Sequence, residues 1–159
     1  MRTRQFLLRL AVVACAATAS THASSGIWTN LNGGSWTNAA NWNAAAIASG
    51  SGSTANFTTL NLPADVSVTL DAPQAIGNLS FDDQNPAKHN WLLHPGSAGS
   101  LTLAGGTPTI TVVSATTAIN MPIGRTAGLT KAGAGRLVLS GANTYSGTTT
   151  VSAGILGLA

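Results

Sequence analysis

From Leu60 onward the chain alternates short apolar runs with polar breaks. The runs are Leu60-Asn61-Leu62, Val66 to Leu70, Ile76 to Phe81, Trp91-Leu92-Leu93, Leu101-Thr102-Leu103, Ile110-Thr111-Val112 and Ile119-Asn120-Met121, and Leu129, Leu137 to Leu139, Val151 and Leu156 continue the series. Most place an apolar residue at every second position with Thr, Ser or Asn between, the period of a strand with one buried face. They return about every nine to thirteen residues, the spacing of an all-β sandwich, barrel or solenoid. Past Leu60 no Asn-Gly or Asp-Gly pair marks a tight hairpin, and single glycines make the connections. That favours parallel coils over antiparallel pairs. Pro63, Pro73, Pro86, Pro95, Pro108 and Pro122 all fall at run edges or between runs, where the missing backbone donor does not interrupt a ladder.

The last thirty residues, Leu129 to Leu158, read LTKAGAGRLVLSGANTYSGTTTVSAGILGL. Alternation puts Leu137 with Leu139, Thr149 with Val151, and Leu156 with Leu158 on shared faces. Runs this short are not stable alone and need neighbours stacked above and below, as in a solenoid. The stretch resembles the autotransporter-associated β-strand repeat, or passenger-associated transport repeat, in Leu129-Thr130-Lys131, Gly133, Gly135, Leu137, Leu139, Ser140 to Tyr145, Gly147, Thr149, Val151, Ala153-Gly154 and Leu156. Arg136 and Ser146 depart mildly from the pattern, at positions expected to face solvent. The resemblance covers about a fifth of the chain. It implies a right-handed parallel β-helix stem with a surface or secreted role, and no catalytic residue.

Residues 1 to 23 place Arg2, Arg4 and Arg9 before the apolar run Leu10 to Ala17 and end in Thr21-His22-Ala23. A basic start, a short apolar centre and a small-x-small end describe a secretory signal peptide, cleaved after Ala23. A lipoprotein signal through Cys15 is the lesser alternative, because Arg9 cuts into its apolar centre and the Thr-His-Ala site would go unused. Cleavage changes the charge. What stays is Lys88, Arg125, Lys131 and Arg136 against Asp65, Asp71, Asp82 and Asp83, a formal net of zero, so no basic patch remains to attract nucleic acid or an anionic membrane. Cys15, the one cysteine, leaves as well, and stability must come from burial and backbone pairing. Only 7% of residues are charged and none is Glu, so amphipathic helices lack their wet face and the polar surface is built of Thr, Ser and Asn.

Residues 26 to 57 carry Trp28, Trp36 and Trp42 among Asn and Gly. The first coil of a β-helix exposes the end of its apolar column, and three tryptophans are suited to cover it. The functional alternative is a glycan-binding platform of Trp28, Trp36 and Trp42, since exposed aromatic faces stack on sugar rings. Ser49 to Ser53, SGSGS, reads as a flexible connector. Asp82 to Pro95 is the most polar insertion and the expected excursion from the wall.

Asp82 and Asp83, with Lys88, His89 and His94, form the one local cluster of ionisable groups. Adjacent aspartates in a strand point apart, and the histidines lack the spacing of a helical metal pair, so the expectation is a solvated turn. A polysaccharide lyase or hydrolase needs converging carboxylates, and four aspartates supply little material for one. Nucleophile-elbow, phosphate-loop, dinucleotide, zinc-helix and Cys-x-x-Cys motifs are absent, as is the aspartate of the calcium nonapeptide. Asn56-Phe57-Thr58 and Asn78-Leu79-Ser80 match the glycosylation acceptor pattern by chance.

The combined expectation is an all-β, right-handed parallel β-helix with an N-terminal Trp-rich cap, preceded by a signal peptide. Its divisions are 1–23 for the leader, 24–57 for the cap and 58–159 for the coils, with the repeat at 129–158. The expected function is an exported structural passenger or stem segment of a bacterial surface protein, secreted or at the outer membrane, with no catalysis, cofactor, metal or nucleic acid. Expected partners are further coils, an outer-membrane barrel or another copy at the C-terminal edge, and, on the glycan alternative, cell-surface polysaccharide. The chain ends directly after a repeat, which suggests a fragment or a truncated product whose isolated edge self-associates.

Overall fold

The computed structural model describes residues 22–124 and 128–159. The expected signal peptide and the lipidation alternative at Cys15 lie outside them, apart from His22 and Ala23. Among the described residues strands account for nearly all of the regular structure, and two 3-10 turns, Ala39–Asn41 and Asn43–Ala45, make up the rest.

The strands form two sheets. In the first, β1 (Gly26–Ile27), β3 (Gly50–Phe57), β5 (Pro73–Phe81), β8 (Thr109–Val112), β11 (Leu129–Ala132) and β13 (Thr149–Val151) lie side by side in that order. The first half of β5 also pairs with β7 (Ser100–Leu103), which pairs with β10 (Ile123–Gly124). The second sheet stacks β2 (Gly34–Ser35), β4 (Val66–Leu70), β6 (Trp91–Pro95), β9 (Thr116–Ile119), β12 (Arg136–Leu139) and β14 (Ile155–Leu158). Every strand pair is parallel, and the antiparallel contacts among the described residues are two isolated bridges, Ser24 with Ser49 and Trp28 with Trp42. The chain is a parallel β-helix, each coil adding one strand to either sheet.

Register turns the alternating sequence into columns about 4.8 Å apart. On the second sheet Val66, Trp91, Thr117, Leu137 and Leu156 stack, and two positions on Val68, Leu93, Ile119, Leu139 and Leu158 do the same. On the first, Ala55, Leu79, Ile110, Lys131 and Val151 form one column. Beside it Phe57, Phe81 and Val112 form another. Each large apolar side chain fully buried in such a column contributes about 1.5–3 kcal/mol before the entropy of ordering is subtracted.

Three local expectations are corrected. The Ser49 to Ser53 stretch is not a flexible connector: β3 begins at Gly50, and buried Ser53 donates its hydroxyl to the Ser49 and Gly50 carbonyls. Its glycines allow an irregularity in the pairing between Gly50 and Thr54, with Gly52 at φ 76°. Leu60 to Leu62 is a loop rather than a strand, although Leu62 is buried. The excursion from the wall ends at Asn90, because Trp91–Pro95 is β6, with Trp91 and Leu93 in the core. Arg136 and Ser146 do face solvent.

Candidate functional site

Three places concentrate side chains with special surroundings: the aromatic end, the Asp83 turn and the C-terminal repeat. At the aromatic end Phe57 lies against five rings. Phe81 stacks on it with centroids 4.9 Å apart and planes 12° from parallel, and Trp28, Trp36, Trp42 and Trp91 surround it at 5.2–5.7 Å. Trp28 and Trp36 are 0% exposed and Trp42 3%. Each indole N–H is satisfied internally: Trp28 by the Asn30 carbonyl, Trp36 by that of Ala48, and Trp42 by that of Trp36. Gly26 heads the Ala55 column because a Cβ there would strike the Ala46 carbonyl and the Trp42 ring. No ring face of Trp28, Trp36 or Trp42 is open, so a sugar could stack on them only if this plug came apart.

The polar cluster is a turn with an exposed rim, Gln84 and Lys88 among it, closed over one buried carboxylate. Asp83 is fully buried. Its Oδ1 accepts from the backbone N–H of Leu62 (2.8 Å) and of Asn85 (2.9 Å), and its Oδ2 from that of His89 (2.7 Å), with His89 Nδ1 at 3.2 Å. Burial works to raise the Asp83 carboxyl, but these donors outweigh it and hold it below its ordinary 3.8. Lys88 Nζ closes the same turn by donating to the Asp83 carbonyl at 2.6 Å. Asp82 points away and accepts from Ser114 and from Gln84. His94 lies on β6 and contacts Asn120 instead. Among the described residues no three of His, Cys, Asp and Glu come together to hold a metal ion. The arrangement ties the loop at Leu62 to the turn at 83–89, and its carboxylate oxygens are taken up by donors.

Lys131 is the residue sequence reasoning missed. Entered there only in the charge sum and the repeat match, it points into the column between Ile110 and Val151 and is 0% exposed. Its Nζ donates to the carbonyls of Ala132 (2.8 Å), Gly133 (2.8 Å) and Ala153 (3.1 Å), one acceptor for each ammonium proton. Burial pushes it below its ordinary 10.5. The turns that present these carbonyls nest on each other: Gly154, at φ +72°, packs where any Cβ would run into the Gly133 and Gly135 carbonyls.

Residues 129–158 match the family model described as the passenger-associated-transport-repeat. The chain is also similar to the protein named Adhesin BmaC autotransporter of Brucella suis biovar 1 (strain 1330), 45% identical over 89 residues. Those residues are 56% of this chain and 2% of that much longer relative. No solved structure matches. Strands β11 to β14, with Lys131 inside them, are the part of the chain that matches this repeat.

Proposed function

We propose that the chain is an exported structural segment of the passenger of a bacterial autotransporter-like surface protein, a β-helix stem that supports secretion and display rather than catalysis. The observation that carries this reading is the seating of the repeat: β11 pairs in register with β8 beneath it and β13 above, and β12 likewise with β9 and β14. Each coil rests on its predecessor, so folding outside the cell can proceed one coil at a time. The similarity to an adhesin autotransporter supports a place at the cell surface, with an outer-membrane barrel as the partner in the same protein. On this reading residues 1–23 are the export leader, 24–57 the cap and 58–159 the stem.

The test fuses the chain to an outer-membrane barrel in a Gram-negative host and measures antibody and protease access on intact cells. The intact segment is expected at the surface, and Leu137→Asp with Leu139→Asp, which puts two charges into the column, is expected to abolish display. Undiminished display of the double variant contradicts the stem reading. Undiminished display with lost adherence to host cells assigns the segment to adhesion instead.

A further inference from the structure

The apolar pattern of the last coils does not determine how they are seated. Leu137-x-Leu139 faces Leu156-x-Leu158, and a slip of two residues keeps the leucines on the same face and sets Leu158 against Leu137. β13 adds little, because its inward residues are Thr149 and the half-exposed Val151. Short strands with so uniform a period specify register weakly.

Lys131, beside the close seat of Gly154 on the Gly133 and Gly135 carbonyls, breaks this degeneracy. Two of its three acceptors, Ala132 and Gly133, come from its own coil, while the third, the Ala153 carbonyl, comes from the next. Moving that coil by two residues carries the Ala153 carbonyl away by about 6.6 Å, so the buried ammonium loses that acceptor. We propose that Lys131 is the register-setting latch of the stack: the following coil is accepted in the one seating that brings the Ala153 carbonyl to its Nζ. A buried polar group that selects one register at some expense of stability is the role best attested for such residues in coiled coils. Ser152 reinforces the same seating, its backbone N–H and its hydroxyl both donating to the Lys131 carbonyl. The latch concerns stacking alone and holds whether or not the segment is exported.

The test uses the full chain with Cys15→Ser and two cysteine pairs. Thr130→Cys with Thr150→Cys reports the observed register, in which these residues are direct partners, and Thr130→Cys with Ser152→Cys reports the slipped one. With Lys131 present, only the first pair is expected to form a disulfide. In Lys131→Met, which keeps the bulk and removes the donors, both are expected to form, and amide exchange over 149–158 is expected to quicken by about tenfold or more, the loss of one charge-assisted hydrogen bond. Lys131→Arg, which retains donors, is expected to restore the single register. The proposal is overturned if the slipped pair forms with Lys131 in place, or if the Met variant keeps one register. A Met variant that fails to fold also overturns it, since the lysine would then be a stability element.

Discussion

The two ends of the stack are built differently. At the N-terminal end Trp28, Trp36 and Trp42 close over Phe57 and Phe81 with every indole N–H satisfied. At the other end β13 and β14 leave Val151 47%, Ile155 59% and Leu158 74% exposed. In a solenoid each coil contacts only its neighbours, so local stability follows local packing. The difference teaches that the aromatic end anchors the stack, while the last coil is held by backbone ladders, nested glycine turns and Lys131.

The largest effect is expected at Phe57. Phe57→Ala removes the ring that five others pack on and should cost about 3–5 kcal/mol in urea unfolding. A loss near that of a surface substitution would mean the plug is not an anchor. Asp83→Ala comes next, at about 3 kcal/mol, because it strands the buried N–H of Leu62 and the partly buried N–H groups of Asn85 and His89. Since the folded state depresses the Asp83 carboxyl, its contribution is present above the ordinary 3.8 and fades as pH falls through the lower folded value. The gap between wild type and Asp83→Ala, followed by chemical denaturation down the acid range, should hold steady above 3.8 and close only below it.

Thr117 offers a gain instead. It sits in the column between Trp91 and Leu137, and its buried hydroxyl has no partner among the described residues. Thr117→Val, of the same shape, should stabilise by about 1 kcal/mol, read as a raised thermal midpoint. The smallest change is expected at the other end: Leu156→Ala, at a half-buried position, should cost about 1 kcal/mol or less by the same urea assay. A cost equal to that of Phe57→Ala would erase the contrast between the ends.

Much of this architecture is legible in the sequence. Alternation finds the wall strands, the lack of hairpin signals finds their parallel sense, and the tryptophans are where a cap needs bulk. The exceptions share one cause. Asp83 follows Leu79 and Phe81 at the strand period, and Lys131 follows Leu129, so alternation itself turns both inward. Asp83 reads as part of a solvated turn and Lys131 as one term of the charge sum, yet each is buried with its hydrogen bonds satisfied, which is the condition for placing a charge there. The SGSGS stretch misleads in the opposite sense. Its composition is that of a linker, but the Ser24–Ser49 bridge, the pairing of Gly50 with Ile76 and the Ser53 hydroxyl hold it in place.

Amide hydrogen exchange along the chain tests the anchored stack most directly. Protection should be greatest in β3 to β6 and fall coil by coil to a minimum in β13 and β14. Exchange in β13 and β14 as slow as in β3 and β5, or β3 exchanging as fast as β14, would contradict an assembly held from its aromatic end.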